Sequence, residues 1–396
     1  MSCFYYLCNK TTAMSLIKRY ILDAILRRLE NKNDNKIIII YGARQVGKTT
    51  LAKQLLSNSN LKAEYFNCDY LDIQNMFSYE NAGNLENIIK NYSLIILDEA
   101  QRINNIGMVL KILHDEFPKL KVIATGSSSF ELSNMVNEPL TGRKVVYQLY
   151  PFSYNEITLG YSAIKSRREI NRILRFGSYP AVILNDDLIA LENLNEITSS
   201  YLFKDILEYN NLKKPNVLSN LLKLLSFQIS NEVSYTELAN KLRVDQTVVQ
   251  RYIQLLEDSF IIFRLKAYKR NLRNEIGKSR KIYFWDLGVR NAIIQNTNAL
   301  DFRNDLGALW ENFCIAEREK HLNYNQPRLS TSYFWRTYNH KEIDLIEETG
   351  DSYSAIEFKW KPGKQTKFPA DFKNTYPNTT FKTITPDNFA SEIYSK

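Results

Sequence analysis

The chain has 396 residues, 44% apolar and 24% charged, with 52 Lys and Arg against 43 Asp and Glu for a formal charge of +9. That length exceeds one ordinary core and implies two to four domains at roughly 100–200 residues each, and the composition excludes disordered and collagen-like chains. No apolar run approaches the ~18–20 residues that span a bilayer, so no membrane segment is expected, and the positive charge favours polyanionic partners, nucleic acid first.

Met1–Asn9 contains Phe4, Tyr5, Tyr6 and Leu7 but neither a basic n-region nor a small-residue cleavage site, so it does not read as a signal peptide. Ser15–Glu30 repeats Leu16, Ile17, Tyr20, Ile21, Ile25 and Leu26 at helical spacing, which predicts an amphipathic helix and makes Met14 an alternative start to Met1. The cysteines Cys3, Cys8, Cys68 and Cys314 show no metal-ligand spacing, and reduced thiols in a cytoplasmic protein are expected.

Ile37–Ile40 is a short β-branched run of the kind that forms a buried parallel strand. It leads into Gly42, Ala43, Arg44, Gln45, Val46, Gly47, Lys48 and Thr49, a complete Walker A, with Thr50 opening the amphipathic stretch to Leu56. Glycines let the backbone curl so that successive N–H groups face phosphate oxygens, and the helix opening at Lys48 aims its positive end at them. Lys48 is expected on the β and γ phosphates of ATP and the Thr49 hydroxyl on Mg.

Leu94–Leu97 is a second buried strand, ending in Asp98 and Glu99. Asp98 is expected to hold Mg through its water, and Glu99 to orient or deprotonate the attacking water. The third strand, Lys121–Ala124, runs into Thr125-Gly-Ser-Ser-Ser129, where Ser127 is the chosen sensor of the γ phosphate. Arg143, before the strand Lys144–Leu149, reads equally as an arginine finger for a neighbouring subunit and as a solvated arginine.

These blocks, Gly-Ala-Arg-Gln-Val-Gly-Lys-Thr, Leu-Asp-Glu-Ala-Gln, Thr-Gly-Ser-Ser and Leu-Thr-Gly-Arg in this order, resemble those of prokaryotic AAA-like ATPases over Met14 to about Leu207. Arg175–Pro180 resembles that family's Gly-Gly-Tyr-Pro turn, with Ser178 in place of a glycine, and Tyr201–Asp205 resembles its lid helix.

Further on, Val233–Leu242 and Val244–Leu256 predict two helices joined by a tight turn. An apolar strand from Phe260 to Leu265 follows, then a basic stretch with Arg264, Lys266, Lys269, Arg270, Arg273, Lys278, Arg280 and Lys281 against Glu275. This pattern predicts a winged helix that either contacts DNA through a basic wing or packs as a protein lid.

The last region offers a helical Glu311, a strand carrying Asp344, and after a turn Glu357-Phe-Lys359. Strand alternation puts Glu357 and Lys359 on one face. Glu311, Asp344 and Glu357 can ligate a hard cation, with Lys359 stabilising charge on a phosphate. The order resembles the PD-(D/E)XK nuclease fold, and its placement after a winged helix matches the C-terminal domain of the same ATPase family. Whether such a site cuts or is an ordinary charged hairpin stays open at this point.

The expected fold is α/β: an AAA-like P-loop parallel sheet with a helical lid over 14–210, a winged helix over 211–296 and a nuclease-like domain over 297–396, with linkers near Lys213–Asn216 and Asn296–Asn304. The leading function is an ATP-hydrolysing, nucleic-acid-binding ATPase, DNA more than RNA, that can self-associate and can cut with Mg. Its rival is a nucleotide-dependent switch that binds a protein partner and carries an inactive nuclease-like domain. A metabolite kinase lacks a recognisable acceptor pocket.

Overall fold

All five side chains of β1, Ile37–Tyr41, are buried, and a strand with no polar face needs cover on both sides. The computed structural model describes residues 17–126, 139–201, 215–268, 280–325, 327–337, 341–361, 363 and 366–395. In it β1 lies within a five-stranded sheet of order β2-β3-β4-β1-β5, with β2 Ala63–Asn67, β3 Leu94–Asp98, β4 Lys121–Gly126 and β5 Lys144–Gln148. Every pairing is parallel. The C-terminal ends of the strands therefore share one edge, and β4 stands between the strand that feeds the P-loop and the strand that ends in Asp98.

The first helix runs over Tyr20–Glu30 rather than from Ser15. Arg19 is extended and buried, lying 4.3 Å over the Phe152 ring and donating to the Tyr150 carbonyl, while the Tyr20 N–H donates to Glu156 Oε1 at 2.7 Å. These tertiary contacts set where the helix begins. The choice between Met1 and Met14 falls outside the described residues.

The second half opens with helices Pro215–Phe227, Tyr235–Leu242 and Gln246–Asp258. The last two match the expected helix pair, and the first of that pair is capped by Ser234, whose hydroxyl accepts the Glu237 N–H at 3.3 Å. An antiparallel hairpin follows, β6 Ile262–Ala267 with β7 Arg280–Phe284, and Glu232 bridges to Lys281. Lys269, Arg270, Arg273, Glu275 and Lys278 lie outside the described residues.

This hairpin does not stand alone. It completes a six-stranded sheet of order β11-β10-β9-β8-β6-β7, with β8 Thr331–Arg336, β9 Glu342–Thr349, β10 Ser352–Phe358 and β11 Thr379–Ile384. Units 211–296 and 297–396 thus share one sheet through the parallel β6–β8 pairing. Helix Leu306–Tyr324 sinks Trp310 and Phe313 into its core beside Phe334, Leu345 and Ile384. Phe152, Tyr154 and Leu174 belong to the same cluster, so the chain leaving β5 is packed directly against the C-terminal half. Large apolar side chains buried in this way contribute about 1.5–3 kcal/mol each.

Candidate nucleotide site and a second acidic cluster

The loop after β1 curls as phosphate binding requires. Gln45 and Gly47 have φ of 62° and 97°, and a Cβ on Gly42 would lie 2.3 Å from the Leu149 carbonyl oxygen, so only glycine fits against the chain leaving β5. Helix Lys48–Asn58 starts immediately afterwards, and the buried Lys48 ammonium donates to the Gly42 and Ala43 carbonyls, each at 3.0 Å. Ala43 and Val46 are buried, Arg44 and Thr49 partly so, and Gln45 and Thr50 are exposed.

Asp98 is the hub of the site. Its Oδ2 accepts hydrogen bonds from the Thr49 hydroxyl at 2.7 Å and the Tyr65 hydroxyl at 2.6 Å, and its Oδ1 accepts from the Thr125 hydroxyl at 2.5 Å. Burial and the bond to Asp98 push the Tyr65 phenol well above its ordinary value, so it stays a donor. Glu99 follows in the left-handed region at φ 54°, where a non-glycine residue is uncommon. Its N–H donates to Thr125 Oγ1 at 3.1 Å, and its carboxylate accepts from Gln101 Nε2 at 2.6 Å.

Asp98 and Thr49 bring two oxygens within 2.7 Å of each other at the sheet edge, a donor set that suits Mg, which is typically bound by one or two protein ligands plus substrate phosphates. Neither Thr125 nor Tyr65 stood out in the sequence as a partner of Asp98. Thr125 belongs to the hydroxyl-rich block from which Ser127 was chosen, and Ser127 lies outside the described residues. Tyr65 comes from β2, and no local pattern joins it to Asp98.

Arg143 sits at the other end of the sheet, where its carbonyl accepts from the Ile37 N–H. It donates to Asp115 Oδ1 at 2.8 Å, and hydrogen bonds from Arg143 and His114 hold the Asp115 carboxyl down at about 2.

The turn before helix Pro180–Ile183 links the P-loop to the second half. A Cβ on Gly47 would touch the Pro180 ring at 3.9 Å, so the turn Gly177–Pro180 lies over the loop. Asp286, just after β7, grips that turn: its Oδ2 accepts the Ser178 N–H at 2.7 Å, and its Oδ1 accepts the Val289 N–H at 3.0 Å. A Cβ on Gly177 would fall 2.1 Å from Asp286 Oδ1, and one on Gly288 only 1.9 Å from the Phe176 carbonyl oxygen. Burial pushes the Asp286 carboxyl up, against the backbone bonds from Ser178 and Val289. The Gly177–Pro180 turn thus has a physical role as a clamp.

The C-terminal acids also come together. The antiparallel ladder that pairs Ile356 with Leu345 puts Asp344 and Glu357 at adjacent positions. Asp344 Oδ2 accepts the Phe358 N–H at 2.9 Å, and Lys359 Nζ donates to Glu357 Oε2 at 2.7 Å. Burial pushes both carboxyls up.

Glu311 Oε1, however, faces Lys281 Nζ at 3.0 Å and the Tyr283 hydroxyl at 2.8 Å, and Lys281 also pairs with Glu342 Oε1 at 2.5 Å. Burial, followed by Asp344, pushes Glu311 up to about 8, opposed by Lys281. Among the described residues no three His, Cys, Asp or Glu side chains are arranged to hold a metal ion, so the set Glu311, Asp344 and Glu357 does not fit the cation expected there. Lys281, read in the sequence as part of a solvent-facing basic wing, is 1% exposed and points inward because Glu311 and Glu342 receive it.

The fold and the Lys48–Thr49–Asp98 geometry define a P-loop nucleotide-binding domain of the α/β class. More particularly, residues 34–158 match the family model described as an AAA domain, so this part of the chain is similar to AAA-type P-loop domains. Residues 167–300 and 306–387 match two domains of unknown function, DUF8612 and DUF4143.

Similar chains include the uncharacterized protein MJ1544 of Methanocaldococcus jannaschii, 27% identical over 307 residues, which cover 72% of this chain and 66% of that protein. Another is the uncharacterized protein Rv2008c of Mycobacterium tuberculosis, 27% identical over 349 residues, 87% of this chain and 74% of that one. The match thus spans just under two thirds of the first relative's length. Among solved structures, the RuvB Holliday junction branch migration motor of Thermotoga maritima is 15% identical with a TM-score of 0.30, over 61% of this chain and 87% of that one. AMPPCP-bound DnaA from Aquifex aeolicus is 17% identical with a TM-score of 0.27, over 59% and 86%. Among the described residues no helix is long and apolar enough to cross a membrane.

Proposed function

We propose that this chain hydrolyses ATP at the Lys48–Asp98 site and uses the turnover to change how its C-terminal half holds nucleic acid, DNA before RNA, in the cytoplasm. The observation that carries the reading is the 2.7 Å contact between Thr49 and Asp98 beside a buried Lys48. Thr49 and Asp98 would hold Mg, which neutralises charge developing on the transferred phosphoryl group. Lys48 binds the β and γ phosphates, and Glu99 holds and deprotonates the attacking water, with Thr125 fixing the Glu99 backbone.

Arg143 lies just before β5, some five residues and about 15 Å along the strand from the P-loop edge. Any part it plays at a nucleotide is therefore at that of a neighbouring copy.

The second half supports the nucleic-acid partner in two ways. The order helix, bridge at Glu232, helix, helix, β6, β7 agrees with the winged helix expected from the sequence. The helix Gln246–Asp258 also leaves Gln246, Thr247, Gln250, Arg251 and Gln254 exposed on one side, a polar and basic face suited to phosphate and base edges. The clamp from Asp286 to the Gly177–Pro180 turn is the route by which nucleotide state reaches this half.

We assign the nuclease-like sheet to binding, because Glu311 and Glu342 already hold Lys281. The same observation favours the second reading, a nucleotide-dependent switch on a protein partner. ATP turnover with and without duplex and single-stranded DNA decides between them: stimulation supports the first reading, and an unchanged rate with no DNA binding at low salt supports the second.

A further inference from the structure

The four carboxylates Glu311, Glu342, Asp344 and Glu357 lie on three elements of the C-terminal half, helix Leu306–Tyr324, β9 and β10. In a nuclease-like site such a group binds a divalent cation, and the reading of the sheet above supplies that comparison. We propose that here the cation is Lys281: its ammonium permanently fills the metal position, and the C-terminal site binds no divalent ion.

Three facts about Lys281 carry this. The side chain is 1% exposed although it stands on an edge strand. Its Nζ lies 3.0 Å from Glu311 Oε1 and 2.5 Å from Glu342 Oε1, and 5.6 Å from the centre of the buried Phe334 ring. Tyr283, two residues along the same face of β7, donates to the same Glu311 oxygen at 2.8 Å, so β7 delivers two donors to this acid through ordinary strand alternation.

The remaining two acids are partnered as well, Asp344 by the Phe358 N–H and Glu357 by Lys359. Magnesium and calcium need six or more oxygen ligands. A buried ammonium within 3.0 Å of two of the candidate oxygens both repels such an ion and occupies its ligands. Removing one side of a buried ion pair leaves uncompensated charge and is strongly destabilising, so the acids without Lys281 would need another cation.

The test uses the full chain without nucleotide, which keeps the P-loop out of the readout, and titrates it with Mn followed by electron paramagnetic resonance and thermal melting. Wild type should show no Asp344-dependent Mn binding, and its Tm should be the same in EDTA and in millimolar Mn. Lys281→Met in EDTA should lose roughly 5–15 °C, regain most of it in Mn, and lose that recovery when combined with Asp344→Asn. Lys281→Arg keeps a cation and should bind no Mn.

Asp344-dependent Mn binding by wild type overturns the proposal, as does a folded Lys281→Met whose stability ignores Mn. If Lys281→Met fails to fold, wild type and Lys281→Arg still decide. Absence of DNA-stimulated turnover would remove the functional reading and leave these results untouched.

Discussion

Asp286 Oδ2 accepts the Ser178 N–H at 2.7 Å, so a carboxylate from the C-terminal half fixes the turn whose Pro180 packs on Gly47 of the P-loop. Asp286→Ala leaves the Ser178 and Val289 N–H groups without their acceptor, at about 1–3 kcal/mol for each buried group. We expect lower stability in denaturant and a raised KM for ATP, with Asp286→Asn partway because it keeps one acceptor oxygen. An unchanged KM in a destabilised Asp286→Ala protein would show that the clamp holds the fold together without acting on the nucleotide.

Lys48→Ala removes the charge that faces the phosphates. Hydrogen bonds to charged groups contribute about 1.5–3 kcal/mol, so ATP affinity should fall about 10- to 100-fold by calorimetry. Equal affinity would exclude Lys48 from phosphate binding.

Acid sensitivity should show at Asp305, which precedes helix Leu306–Tyr324. Burial works to raise its carboxyl, but hydrogen bonds from Arg303 and Arg290 overcome this and hold it at about 2, below the ordinary 3.8. A depressed folded value stabilises above pH 3.8 and loses that contribution as pH falls toward about 2. Asp305→Asn should therefore be less stable than wild type at pH 7, and the gap should close by about pH 2 in urea titrations.

Nucleic-acid binding should be salt-dependent. Arg251 lies on the exposed face of helix Gln246–Asp258, and removing a side chain that neutralises one phosphate should reduce the salt slope of binding by about 1. Arg251→Ala together with Arg270→Ala and Arg273→Ala should weaken binding in fluorescence anisotropy, whereas Lys281→Arg should not, because that side chain faces Glu311 and Glu342. Binding unaffected by the triple change would place the interface elsewhere.

The nucleotide site was legible where its chemistry is local. Strand, loop and helix are contiguous from Ile37 to Asn58, and the acids sit at the end of an apolar run, so spacing alone located Lys48, Thr49, Asp98 and Glu99. Thr125 and Tyr65 reach Asp98 from other strands, and their roles depend on a sheet order that periodicity does not encode.

Lys281 shows the reverse case. In the sequence it is one cation in a basic run, which reads as a solvated face, and its burial follows only from acids 30 and 61 positions further on, at Glu311 and Glu342. Asp286 was invisible for the same reason, since nothing near it announces a partner at Ser178.

The most direct measurement is steady-state phosphate release by wild type and Glu99→Gln with saturating Mg-ATP, run beside ATP affinity for both. The amide keeps the shape of the side chain and its place beside Gln101 but cannot take a proton from water. The account predicts measurable turnover in wild type, a rate about 10²- to 10⁴-fold lower in Glu99→Gln, and equal ATP affinity in the two. Equal turnover in the two proteins, or none in wild type despite tight ATP binding, would contradict it.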